Sequence, residues 1–222
     1  MQEVLFEIPE AIRQPKWDEK AVSLSFDENA IIRWIMELHN AGKPFDIDPT
    51  YSTGRFWDGL PKPRLKFDMS PSDMGSVSKA DARFLPLKDG VVSSIMFDPP
   101  FVVAPSPKPG IIRDRFSCYK NITALWQFYL LAMHEFWRVL GGDGLLVVKC
   151  QDVVSSGKNW ASHYEVMKYA EQTGFQFEDL FVLGRKNVLW SPNMENQKNA
   201  RKNHCYFLVF RKPVNQSSVG IK

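Results

Sequence analysis

Two short runs of residues constrain this chain more than anything else in it. VVSSIMF (Val91–Phe97) and LLVVK (Leu145–Lys149) are β-branched or aliphatic on both alternating faces over most of their length. A strand of that kind must be covered on both faces, which is the situation of a strand inside a parallel sheet. Between the runs, Leu125, Phe128, Tyr129, Ala132, Phe136 and Val139 recur at helical spacing. Asn121 stands where a helix cap is wanted, and Gly141-Gly142 follow Leu140 as a stop. Strand, helix and strand in this order read as a crossover unit, so the chain is expected to be α/β with a mostly parallel sheet and helices on both faces.

The rest of the pattern agrees. Asp27 can cap a helix carrying Ile31, Ile32, Trp34, Ile35 and Leu38 on one face, ended by Gly42 and Pro44. Strands are expected at Phe45–Asp48, Arg64–Asp68, Ser76–Lys79, Phe175–Leu183 and Cys205–Phe210, and a second crossover helix over residues 161–172, closed by Gly174. Gly54, Gly59, Pro61 and Pro63 crowd the segment after the first strand, so its crossover helix is expected to be short or missing. Residues 1–25 read as irregular. The division expected is an N-terminal extension over 1–26, one domain over 27–212 and a tail over 213–222. At 222 residues a single core can bury about 70% of the unfolded surface, so no second domain is needed.

Composition removes several classes. With 44% hydrophobic and 24% charged residues the chain is neither fibrous nor disordered throughout. No window reaches the roughly 18 apolar residues of a membrane span, and the first twenty residues lack the layout of a signal peptide. Three scattered cysteines (118, 150 and 205) argue against a disulfide framework and for a reducing, intracellular (cytoplasmic) setting. The four histidines have no ligand spacing, so no metal is expected.

Net charge is only +3, but it is unevenly placed. Residues 102–120 carry Lys108, Arg113, Arg115 and Lys120 against Asp114, and residues 184–203 carry Arg185, Lys186, Lys198, Arg201 and Lys202 against Glu195. These stretches hold +3 and +4, leaving −4 for the remainder of the chain. They are either solvated loops or the footprint of a polyanion such as nucleic acid.

In open parallel sheets ligands bind at the carboxyl ends of the strands. Asp48, Asp68, Asp81 and Asp98 all fall at such ends or just beyond. Asp98-Pro99-Pro100-Phe101 follows a buried strand directly. Its prolines fix the backbone and remove two amide donors, leaving acceptors beside an aromatic face. Acceptors and a stacking face suit a planar heterocycle with an exocyclic amine. Hydrogen bonds to that amine would favour a pyramidal nitrogen and free its lone pair for attack. Lys149, Gln151 and Asp152 follow a second buried strand at the same edge and are candidates for substrate contact.

In these features the sequence resembles the class I S-adenosylmethionine-dependent amino-methyltransferases that act on adenine or cytosine. Asp98-Pro99-Pro100-Phe101 is similar to their catalytic [DNS]-P-P-[YFW] motif. Asp48-Pro49-Thr50-Tyr51-Ser52-Thr53-Gly54 resembles their cofactor loop, Phe67-Asp68 the acidic strand end that holds the ribose, and Ala80-Asp81-Ala82 the segment that meets the cofactor adenine. Arg138-Val139-Leu140-Gly141-Gly142 resembles the turn before the fifth strand, and His204–Lys212 the closing strand. The resemblance spans residues 45–212 and implies a Rossmann-like, seven-stranded fold with S-adenosyl-L-methionine as cofactor. It implies cofactor contacts from Asp48, Pro49, Tyr51, Gly54, Asp68, Asp81, Ala82 and Asp98, with catalysis at Asp98, Pro99, Pro100 and Phe101. The acceptor it implies is adenine N6 in DNA first and RNA adenosine second. An inactive nucleic-acid-binding subunit of the same fold is the alternative. Ser52 departs from the family glycine. With only a short tail after residue 212, no separate target-recognition domain is expected, so sequence specificity is expected to come from the basic loops, a partner subunit or a second copy, or to be absent.

Overall fold

A computed structural model describes residues 20–73, 75–103, 118–186 and 199–214. Its centre is an eight-stranded sheet. In chain order the strands are β1 (Leu24–Ser25), β2 (Ile47–Asp48), β3 (Leu65–Asp68), β4 (Ser78–Lys79), β5 (Val92–Phe97), β8 (Leu140–Cys150), β11 (Gln176–Gly184) and β12 (His204–Arg211). They lie side by side as β1-β11-β12-β8-β5-β2-β3-β4. Only β12 runs antiparallel to its neighbours, β8 and β11; every other pairing is parallel. Both signature runs, as β5 and β8, lie side by side near the middle, pairing Ser94 with Leu145 and Phe97 with Val148. This is the mostly parallel, Rossmann-like α/β sheet that the sequence predicts.

Two short pairs stand apart from the sheet: β6 (Val102–Val103) with β7 (Cys118–Tyr119), and the hairpin β9 (Val153–Ser155) with β10 (Lys158–Trp160).

Period-two alternation assigns the two faces. Ile95, Phe97, Leu146, Val148, Cys150, Leu208 and Phe210 pack with helices α2 (Ile122–Val139) and α3 (Ser162–Thr173). Met96, Leu145, Val147, Phe207 and Val209 pack on the other face with α1 (Glu28–His39) and the aromatic loop around Trp57. The caps are those expected: Asp27 Oδ1 accepts from Asn29 N and Ala30 N at 2.9 and 3.2 Å, and Asn121 Oδ1 from Ala124 N at 2.9 Å.

Several expectations are adjusted. Part of the stretch read as irregular is ordered: β1 adds an eighth strand to the sheet edge, pairing Leu24 with Val182. Two residues are too short a run to show alternation, and only the exposed edge of β11 makes them a strand. Leu38, read as part of the apolar face of α1, is 58% exposed; the buried stripe is Ile31, Ile32, Ile35 and Met36. Gly141-Gly142 do not separate helix from strand, because β8 begins at Leu140 and shifts register before Leu145. The first crossover has no α-helix, only a 3-10 turn over Arg55–Trp57, as the glycines and prolines foretold.

His39 pins the end of α1 to β11. Its Nδ1 lies 3.2 Å from Glu178 Oε2 and its Nε2 3.1 Å from Asp179 Oδ2.

Candidate functional site

The alternation that sorts the core also aims the site. Asp98 follows Met96 by two residues and Lys149 follows Val147 by two, so both side chains leave the sheet on the α1 face at neighbouring strand ends. There Lys149 Nζ lies 3.1 Å from Asp98 Oδ2 and 2.6 Å from Glu28 Oε1, at the first residue of α1. The Lys149 side chain is 11% exposed and that of Asp98 24%. The ammonium also sits over the rings of Phe56 and Phe207, 5.0 and 5.8 Å from their centroids.

Burial pushes the Asp98 carboxyl above the ordinary range, and Glu28 adds to the push; the Lys149 and Arg185 charges oppose it. Lys149 is the reverse case. Burial alone would lower its ammonium, but Asp98 and Glu28 hold it well above the ordinary lysine value. Pro99 is buried, while Pro100 and Phe101 are half-buried.

The loop after β2 is built from its carboxylates. Asp48 is 2% exposed; Oδ1 accepts from Thr50 N at 2.8 Å, and Oδ2 from Trp57 Nε1 at 2.8 Å. Burial raises its carboxyl to about 7 against the pull of those hydrogen bonds. Thr50 Oγ1 in turn accepts a long bond from Asp98 N, 3.3 Å, which joins this loop to the Pro-Pro segment. Asp68 Oδ2 accepts from Ser52 N at 2.9 Å, and Oδ1 from Ser70 N at 2.7 Å.

Ser52 has φ 51°, so this position takes the left-handed conformation with a serine in it. That conformation costs a non-glycine residue about 1–2 kcal/mol, and the charge-assisted bond from its amide to Asp68 helps to offset it.

These partners decide which residues can hold a ligand. Asp68 fits a ribose: each oxygen keeps a lone pair after its one backbone bond, enough for two vicinal hydroxyls. Asp48 does not fit as a direct ligand, because its oxygens are buried and turned into the loop; its place is to shape the loop. Tyr51 is buried and packs its ring on Gly54, whose Cβ position would lie 2.7 Å from three of its ring and hydroxyl atoms. Pro49 is buried as well.

Asp81 is held by Arg83 in a bidentate pair, Oδ1–Nε 3.0 Å and Oδ2–Nη2 2.6 Å, so much of its acceptor capacity is taken. Ala82 is part of the core and can offer only its backbone. Tyr129 is fully buried, and its hydroxyl has no partner among the described residues; the Asp98 charge bears on it.

Of the other candidates, Gln151 donates to the backbone oxygens of His204 and Lys202 at 2.8 and 3.4 Å and so fixes the loop before β12. Asp152 accepts from His163 Nδ1 at 2.7 Å. Both were candidates for substrate contact; their polar atoms are used within the protein, and Lys149 alone of the three pairs with Asp98. Arg138 ties Glu135, Asp89 and the carbonyls of Leu85 and Leu87 together, bracing the segment after Asp81.

Among the basic residues, Lys120, Arg185 and Lys186 are exposed, and Arg201 and Lys202 half-buried. Arg185 bears electrostatically on Asp98, so the second basic stretch begins close to the Pro-Pro segment. Lys108, Arg113, Arg115 and Lys198 lie outside the described residues. Glu28 was missed: in sequence it is an ordinary acid in a first helical turn, and only the packing of α1 brings it to Lys149. Among the described residues no three His, Cys, Asp or Glu side chains group as a metal site, and no helix is long and apolar enough to cross a membrane.

No protein-family model matches the chain, and no curated protein sequence does. Among solved structures it is similar to a candidate DNA modification methylase from Thermus thermophilus in complex with S-adenosyl-L-methionine. The identity is 22% and the TM-score 0.44, over 64% of this chain and 57% of that one. It is also similar to the complex of a Haloferax volcanii methyltransferase activator with a candidate methyltransferase: 12% identity, TM-score 0.47, 78% of this chain and 83% of that one. A third is a candidate histamine N-methyltransferase from Thermotoga maritima, at 18% identity and TM-score 0.43, over 75% and 81% of the two chains. The chain spans little more than half the length of the Thermus protein. At these scores the likenesses add nothing to the topology already described.

Proposed function

We propose that this chain is an S-adenosyl-L-methionine-dependent methyltransferase acting on the exocyclic amine of a nucleobase, adenine N6 in DNA before adenosine in RNA. The observation that carries this reading is the placement of Asp98-Pro99-Pro100-Phe101 at the carboxyl end of β5, in the middle of the sheet, joined through Thr50 to the Asp48–Gly54 loop. The cofactor would be held by Asp68 at its ribose and by the backbone of the loop that Asp48, Tyr51 and Gly54 shape, with Asp81 and Ala82 beside it. It would supply an electrophilic methyl group on a sulfonium sulfur.

The chain's own residues would prepare the acceptor. Asp98 accepts an amine N–H, the two prolines present no competing donor, and Phe101 offers a face for the base to stack on. A base in duplex DNA has to leave the stack to reach them. Arg185, Lys186, Arg201, Lys202 and Lys120, with Lys108, Arg113, Arg115 and Lys198, would meet phosphates, in an intracellular setting. Sequence choice would come from these loops, a partner subunit or a second copy.

The test is mass spectrometry of nucleosides from DNA and from RNA incubated with the protein and methyl-labelled cofactor. Methyl label on adenine N6 is expected in DNA. Label on neither nucleic acid, in protein that S-adenosylhomocysteine does stabilise against heat, would move the acceptor to a small molecule or protein. Asp98→Ala should lower turnover by about 10²-fold or more while changing that stabilisation much less.

A further inference from the structure

We propose that Lys149 and Glu28 form a charge clamp that keeps Asp98 as an oriented carboxylate, making Lys149 a positioning residue and helix α1 a part of the site. The geometry is that of a shared cation. Lys149 Nζ lies between two carboxylates, 2.6 Å from Glu28 Oε1 and 3.1 Å from Asp98 Oδ2. The contact to Glu28 is an ion pair rather than an aligned hydrogen bond. Phe56 and Phe207 place ring faces around the ammonium, so its stem is held and water is thinned near it.

A carboxylate as enclosed as Asp98 would shed its charge if nothing opposed it. The charged groups acting on it come from the elements around it: Lys149 from β8, Glu28 from α1, Arg185 just past β11, and Asp48 from β2. The Cys205 thiol of β12 bears electrostatically on both Lys149 and Asp98. Only Oδ2 of Asp98 is spent on the lysine, which leaves Oδ1 for a ligand.

Lys149 and Glu28 therefore act on Asp98 with opposite signs, against a background set by Arg185 and by the Asp48 carboxyl of β2. Removing Lys149 must make Asp98 harder to ionise. Removing the Glu28 charge must make it easier, because a like charge disappears and the lysine is left to Asp98 alone. A pair that served stability alone would lose stability on either change but leave the acidic limb of methyl transfer where it is.

That Asp98 is the group which meets the amine rests on the function proposed above; its ionisation can be measured without it. The ligand-free protein is labelled with ¹³C at aspartate carboxyls, and the Asp98 resonance, assigned by its loss in Asp98→Asn, is followed against pH. In Lys149→Met, which keeps the bulk of the side chain, the Asp98 midpoint should rise by about 1–3 pH units, the range for a carboxylate deprived of a close cation. In Glu28→Gln, whose side chain is partly exposed, it should fall. Lys149→Arg should return it toward the wild-type midpoint.

Methyl transfer should follow, with the acidic limb of its pH profile moving up in Lys149→Met and down in Glu28→Gln. An Asp98 midpoint unchanged in Lys149→Met, or moved the same way in both variants, overturns the clamp whatever the activity. If the midpoints move as expected while Asp98→Asn still transfers methyl groups, the clamp stands and the role of Asp98 at the amine is what fails.

Discussion

The two halves of the sheet are held by different means. On one side β5, β8, β12 and β11 are six to eleven residues long, pair over most of their length, and are covered by α2 and α3. On the other, β2, β3 and β4 have two to four residues, β2 meets β5 at the single pair Ile47–Ile95, and no α-helix crosses between β2 and β3. What the short ladders leave open, carboxylates close. Asp46 Oδ2 takes both Ser93 N and Ser93 Oγ at 2.7 Å, Asp48 takes Thr50 and Trp57, and Asp68 takes Ser52 and Ser70. The backbone ladder itself carries the long-strand half, whose pairing does not depend on side-chain carboxylates. Side-chain anchoring leaves the other free to place loops at the site, but ties its stability to the ionisation of a few acids.

The largest expected effect comes from Trp57, which is fully buried and donates to Asp48. Trp57→Ala should cost about 3–5 kcal/mol, through lost burial and the cavity left, and should strand the Asp48 oxygen. Urea unfolding followed by amide exchange locates the loss: protection should fall first in β2, β3 and the loop after β2. A uniform fall across β8 and β12 as well would show the halves to be one cooperative unit.

The next effect is the pH dependence, in which Asp46 and Asp48 have opposite signs although two residues apart. Burial would raise the Asp46 carboxyl, but the Ser93 hydrogen bonds and Arg64 together lower it, so its contribution is present above the ordinary aspartate value and lost as pH falls below it. The Asp48 carboxyl is raised from 3.8 to about 7, so the unfolded chain ionises where the folded one resists, and stability declines as pH rises between those values. One such group contributes at most about 1.4 kcal/mol per pH unit. Asp48→Asn removes this slope at the price of one acceptor. The wild type should lead it at pH ~5, and the gap should narrow by pH ~8. A gap that stays constant over that range removes Asp48 as the source.

The smallest effect pairs one glycine from each half. Gly54 has φ 76° and stands against Tyr51; Gly174 has φ 109°, ends α3, and stands against Trp137. Alanine at either should cost about 1–2 kcal/mol from backbone strain, with more if the ring cannot yield. Only Gly54→Ala should also weaken the thermal shift given by S-adenosylhomocysteine, since only its loop lies at the site. Equal weakening by both would mean that the loop is not where the cofactor binds.

Much of the fold was legible because burial leaves a periodic record. The strand runs at Val91–Phe97 and Leu145–Lys149, the α2 stripe and the Asp27, Asn121 and Gly174 signals all carry their physics within a few residues. The Gly and Pro content after β2 likewise announced a missing helix. The positions of Asp48, Asp68 and Asp98 at strand ends were legible too, but not what their oxygens do. Asp48 is consumed by Trp57, nine residues on; Asp81 is consumed by Arg83; neither pairing has a periodicity to read.

What the sequence determined by itself is the α/β order of elements and the set of acids and prolines at the carboxyl edge, because hydrophobic periodicity and turn chemistry act locally. Tertiary structure decided the rest. It added β1 to the sheet, since an open edge needs a partner that no local pattern names. It gave Lys149 to Asp98 and brought Glu28 across 121 residues of chain to share it. A buried charge is answered by whichever opposite charge the packed elements bring within a few ångströms, and that distance exists only once the chain has folded.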